Sequence, residues 1–190
     1  ADVFLAVLER TGPWHVFDAA LAELGVERDP ALVAALVRAF RDHPPRLAPH
    51  AGVPGMLDDL RAAGVRVGAV TDGYADVQRS KWASLGLDAR FDAVVFTGDV
   101  GGVAYPKPRI EPFLEVARQL GALDHPVLMV GDNPAKDFPP ARALGWDTLR
   151  VRHPGGYHAN DPDDDLGRPS VASVDGMVAA VRRWVAAHRG

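Results

Sequence analysis

Cysteine is absent from all 190 residues, and that absence removes three chemistries together: disulfide staples, thiolate nucleophiles and cysteine-ligated zinc. Lysine is nearly absent as well. Arginine supplies 18 of the 21 basic side chains, leaving Lys81, Lys107 and Lys136. Where arginine serves as the generic surface cation, each remaining lysine invites a specific reading. Excess positive charge is also missing: the formal net charge is -4, without the basic footprint that nucleic acid demands. No apolar run approaches the ~18 residues of a membrane span, and no basic-then-apolar leader opens the chain. No Gly-x-Gly-x-x-Gly follows any predicted strand, which weakens a dinucleotide-binding reading. What remains, 47% hydrophobic and 24% charged residues, fits a cytoplasmic enzyme or binding domain with one substantial core and a small accessory unit.

The first third reads as helical. Val3–Arg10 is a short apolar segment, Trp14–Leu24 has helical spacing, and Asp29-Pro30 opens a third helix through about Phe40. His43-Pro44-Pro45 stops it. From residue 51 the texture changes to alternation. A helix over 51–64 precedes a Val-rich strand at 65–70, and a helix over 75–85 precedes a strand at 91–96. A helix over 111–120 precedes a strand at 127–130, a helix runs to about 143, a strand covers 147–151, and an amphipathic helix closes at 175–188. Short strands alternating with helices predict a parallel, doubly wound α/β sheet. Residues 158–167 form an acidic loop, for which a solvated, mobile state is expected ahead of calcium binding.

Ligands of open parallel sheets bind beyond the carboxyl ends of the strands. After Val67-Gly68-Ala69-Val70 come Thr71, Asp72 and Gly73; a strand-end hydroxyl with glycine-freed amides can grip a phosphate oxygen. Taken alone, an ordinary turn explains those three residues better. Lys107, between Pro106 and Pro108, rides a stiff loop where its ammonium can neutralise a carboxylate or a phosphate oxygen. Asp132 follows a buried strand directly, where an unpaired carboxylate is costly and a hard cation would relieve it. Asp137 is placed to cap the next helix, with Pro139 and Pro140 in its first turn.

The order Thr71, Lys107 and Gly131-Asp132-x-x-x-x-Asp137, each beyond a strand, resembles the haloacid dehalogenase superfamily of phosphohydrolases over about residues 50–155. The resemblance implies a Rossmann-like, three-layer α/β/α core at 48–190, Mg²⁺ as cofactor, a small phosphorylated substrate and an aspartyl-phosphate intermediate. It also implies that residues 1–47 are part of a helical cap. In that reading Thr71, Asp72, Gly73 and Lys107 bind the phosphoryl group. Lys107 also orients the nucleophile, and Asp132 and Asp137 are the metal-side acids. Asp132 would ligate Mg²⁺ directly, while Asp137 holds the lysine or a metal-bound water.

One motif is missing. The family's first motif, an apolar strand ending Asp-x-Asp, has no counterpart; Asp163-x-Asp165 matches the spacing only within the acidic loop, with no strand before it. The expectation is that Ala1 lies within the cap and that the central nucleophile strand belongs to upstream residues. Two strands then lose a neighbour, and the isolated chain is expected to be destabilised and inactive toward phosphate esters. The competing reading is a catalytically silent relative acting as a regulatory or interaction module. Metal-free dehalogenation is disfavoured by the paired acids. Arg46, His50 and Tyr74 are candidates to face substrate, with ordinary surface placement the alternative, and nothing marks the oligomeric state.

Overall fold

Asp29 shows how local sequence sets the first elements: its carboxylate accepts the Ala31 N–H at 2.8 Å, and Pro30 begins the helix that it caps. In the computed structural model, which describes residues 2–11, 15–99, 105–162 and 169–188, the chain divides into two units, Ala1–Pro44 and Pro45–Gly190. The first holds α1 (Asp2–Thr11), α2 (Val16–Glu23) and α3 (Pro30–Asp42). Its core is small: Val7, Ala20 and Leu21 are buried, and Phe17 stacks edge-on with Phe4 and Phe40. Amphipathic α3 buries none of its residues, and Phe40 is 61% exposed.

The second unit alternates as the sequence predicts. α4 (Val53–Ala62) leads to β1 (Gly68–Thr71), α5 (Ala75–Leu85) to β2 (Ala93–Phe96), and α6 (Glu111–Leu120) to β3 (Leu128–Gly131). α7 (Phe138–Ala143), β4 (Asp147–Val151), β5 (Ser170–Val171) and α8 (Val174–Ala187) follow. Every strand pairing among the described residues is parallel. The expected strand at 65–70 begins three residues later and includes Thr71, and the two-residue β5 is too short to leave a periodic signal.

The ladders form two separate sheets, β1–β2 and β3–β4–β5. Among the described residues no ladder joins β1 to β3. Helices bridge the break instead. Met56, Leu57 and Leu60 of α4 and Val181 of α8 bury against Leu149, with Val67, Leu128 and Val130 packed around them. Val116 and Leu120 of α6 bury against Ala93 and Val95, with Val70 and Trp146 alongside. Apolar residues in or beside both sheets thus enter common clusters, and burial rather than backbone pairing holds them in one unit. Gly68 makes part of this packing possible, since a Cβ there would lie 2.7 Å from Val116. No helix among the described residues is long and apolar enough to cross a membrane.

Candidate active site

Four segments meet through hydrogen bonds beyond the carboxyl ends of the strands: the β1 turn, the residues after β2, the Lys107 loop and the β3 loop. Thr71 ends β1 opposite Phe96 and donates its hydroxyl to Oε1 of Gln78 at 2.8 Å. The chain then turns through Gly73, whose φ of 131° suits a residue without a Cβ. Between them Asp72 is a junction. Its Oδ1 accepts the Thr97 hydroxyl at 2.9 Å and the Lys107 backbone N–H at 3.2 Å, and its Oδ2 accepts Lys136 Nζ at 2.7 Å. Burial is the largest single influence on Asp72 and opposes its ionisation. The hydrogen bonds from Lys136 and Thr97, the Lys136 charge and the Lys107 amide outweigh it and hold the carboxyl below the usual aspartate range. Asp72 therefore enters the site as an organising anion, beside whatever its amide offers a phosphate.

Lys107 Nζ donates to Asp137 Oδ1 at 2.6 Å, the two side chains being 14% and 3% exposed. Asp137 Oδ2 accepts the Asn133 N–H at 3.0 Å. Asp137 does occupy the N-cap position of α7, but its side chain makes no capping bond to that helix; it folds back toward β3 instead. Gly131 allows this, because a Cβ on it would sit 2.5 Å from Asp137 Oδ2. Both oxygens of Asp137 are engaged, which places it with the lysine. Asp132 differs. It is exposed and has no hydrogen-bond or ion-pair partner among the described residues. No group of three or more acids and histidines is placed to hold a metal among those residues. A single free carboxylate at a strand end nevertheless suits Mg²⁺, which takes one or two protein carboxylates and fills its remaining positions with water and substrate phosphate.

Three further residues join the site that the motif reading left out. Thr97, 2% exposed, links Asp72 to the end of β2. Asn133 accepts the Ala135 and Lys136 amides on its side-chain oxygen and meets His158 Nε2 at 2.9 Å through its amide nitrogen. Lys136 carries a signal in the scarcity of lysine itself. The loop expected to be mobile is anchored over its described part. Arg150 donates to the carbonyls of His158, Asp161 and Pro162, and Arg152 to those of Ala159 and Asp161. Asp163 and Asp165 lie outside the described residues. His50 and His153, ring centroids 4.5 Å apart, line a pocket of about 320 Å³ that includes Asp132. Tyr74 and Arg46 are exposed.

The chain has counterparts among known proteins: the profile of the haloacid dehalogenase-like hydrolases matches residues 16–151. The chain belongs to that family. Over 157 residues it is 39% identical to a glyceraldehyde 3-phosphate phosphatase of Methanopyrus kandleri, covering 81% of this chain and 65% of that one. Over 156 residues it is 35% identical to a phosphoserine phosphatase of Thermus thermophilus, covering 80% and 59%. The chain thus spans under two thirds of the length of these curated relatives. Among solved structures, an L-2-haloacid dehalogenase from Xanthobacter autotrophicus superposes with a TM-score of 0.62 at 23% identity, covering 89% of this chain and 74% of that one. A phosphatase of the family from Thermococcus onnurineus gives 0.57 at 21%, covering 100% and 80%. At these identities the structural likeness shows the family fold alone.

Proposed function

We propose that the protein containing this chain is a Mg²⁺-dependent phosphate-ester hydrolase of small phosphorylated metabolites. The observation that carries the reading is the contrast at the β3 end: Asp137 is locked to Lys107, while Asp132 stands exposed without a partner among the described residues. Support also comes from the relatives, two of which are named as phosphatases of glyceraldehyde 3-phosphate and phosphoserine. Both are small phosphomonoesters, and that is the substrate class proposed.

In this reading the Thr71 hydroxyl turns from Gln78 to a phosphoryl oxygen, and the amides of Asp72 and of Gly73, the latter leaving its 3.4 Å contact with the Thr97 hydroxyl, take another. Lys107, fixed by Asp137, brings its ammonium to the transferring group. Asp132 would hold Mg²⁺, which supplies charge neutralisation on the phosphoryl oxygens. Phosphoryl transfer needs positioned charge more than covalent help from its surroundings, so these roles cover most of the catalysis. The attacking aspartate is proposed to come from outside these 190 residues, on a strand running between β1 and β3, and to form an aspartyl-phosphate that water then cleaves. Among the described residues β1 and β3 each have one edge without a ladder, which is compatible with that position. Residues 1–47 are read as part of a cap and residues 48–190 as the core, in the cytoplasm.

The test is phosphate release from a panel of small phosphomonoesters by the full-length protein, with and without Mg²⁺, alongside Asp132→Ala. Expected is metal-dependent turnover that falls at least about 100-fold in the variant, the scale seen when one positioned charge-stabilising group is removed. No turnover of any ester by the intact protein would reject the reading in favour of a silent module.

A further inference from the structure

Lys136 is a site cation that no role above uses. It lies on the β3 loop, and its Nζ donates to Asp72 Oδ2 at 2.7 Å, joining residues 64 apart in sequence. The two follow strands of different sheets, β1–β2 on one side and β3–β4–β5 on the other, which share no ladder among the described residues. Backbone pairing between β1 and β3 therefore does not fix the distance from Thr71 to Asp132. Side-chain bonds reach across instead: Lys136–Asp72 joins the β1 turn directly to the β3 loop, and Lys107 reaches both, its amide to Asp72 and its Nζ to Asp137.

Both ends of that link are held by further hydrogen bonds. Asp72 Oδ1 is filled by Thr97 and by the Lys107 amide, leaving Oδ2 for the lysine. The Lys136 amide is held by the side-chain oxygen of Asn133 at 3.2 Å and by its carbonyl at 3.3 Å. The choice of lysine is also informative in a chain where arginine supplies 18 of the 21 basic side chains. A compact ammonium serves the single open oxygen, whereas a guanidinium fork presents paired donors that suit two. The contact is half-shielded, with Asp72 17% and Lys136 45% exposed at the side chain.

We infer that Lys136 and Asp72 form a tether that sets the spacing between the phosphate-gripping turn after β1 and the acidic loop after β3. Lys136 is thus a positioning residue for phosphoryl transfer. The kinetic half of this inference rests on the phosphohydrolase reading; the structural half stands without it. A spacing error near 1 Å at a site of this kind costs up to about 100-fold in rate.

The experiment is a double-mutant cycle on the full-length protein with Lys136→Met, Asp72→Asn, both together, and Lys136→Arg. Each single variant is expected to lower kcat about 10-fold, with KM within about 2-fold. The double variant should lose about as much as either single one, because the two residues act as one unit. Lys136→Arg should retain more activity than Lys136→Met. Losses that multiply to about 100-fold, or a raised KM with kcat intact, would overturn the tether, the second by showing direct substrate contact. Urea unfolding of the wild type, the two single variants and the double variant decides the structural half even if the wild type hydrolyses nothing. Midpoint losses that fail to add support the tether; additive losses refute it.

Discussion

The two sheets of the second unit contribute to the candidate site in different ways. On the β1–β2 side the polar groups singled out are committed: Thr71 to Gln78, and Asp72 to Thr97, Lys107 and Lys136. On the β3–β4–β5 side two acids five residues apart divide the work. Asp137 is buried and doubly bonded, while Asp132 is exposed and unpartnered among the described residues. A carboxylate with both oxygens bonded within the protein is held in place and holds what it touches. One left bare at a strand end is available to a cation. The lesson is that an acidic motif has to be divided by hydrogen-bond accounting before roles are assigned.

The comparison between the two acids breaks most visibly in Asp137→Ala. Removing one partner of a buried pair strands the other charge, so about 3 kcal/mol of stability should go, together with activity. Asp132→Ala should leave stability within about 0.5 kcal/mol, as expected for an exposed residue without partners. Urea unfolding of both variants reads the difference, and equal destabilisation would erase the distinction between them. Gly131→Ala is the next largest effect. Its new Cβ would displace the Asp137 carboxylate and cost about 1–3 kcal/mol, the range for overpacking. A melting curve unchanged from wild type would show that Asp137 does not need its place beneath the β3 end.

The smallest effect belongs to the other sheet. Asp72 has its folded value held below its unfolded one, which is about 3.9. Its contribution to stability is therefore fully present above about pH 4 and is lost as the pH falls further, toward the folded value. The ammonium that faces it is that of Lys136, while Lys107 offers it a backbone amide, so the carboxylate is the group whose protonation breaks these contacts in that window. Unfolding midpoints of wild type and Asp72→Asn should run parallel from pH 7 to about 5 and converge below 4. Parallel curves down to pH 3 would remove Asp72 from the ionised groups that hold the site together.

Much of the fold and of the site is legible in the sequence. The spans 75–85, 111–120 and 147–151 coincide to the residue with α5, α6 and β4, because each has clear periodicity between turn-forming residues. Thr71, Lys107, Asp132 and Asp137 stand out because chemistry in a parallel sheet collects at strand ends. Arg150 shows where such reading stops. Next to buried Leu149 on β4, an arginine is expected to face water, yet it is 2% exposed and donates to three loop carbonyls. No local pattern announces a guanidinium whose partners are backbone oxygens 8 to 12 residues away.

By itself, then, the sequence determined the elements other than β5, their parallel alternation, the family and the candidate residues beyond the strand ends. These follow from short-range periodicity and turn chemistry, which act over a few residues. Only the tertiary structure decided which charges answer one another: Lys107 with Asp137, Lys136 with Asp72, and Asp132 with none among the described residues. Those choices depend on where separate strands come to rest, and that is set by the helices packed across the break in the sheet, whose burial no local window contains.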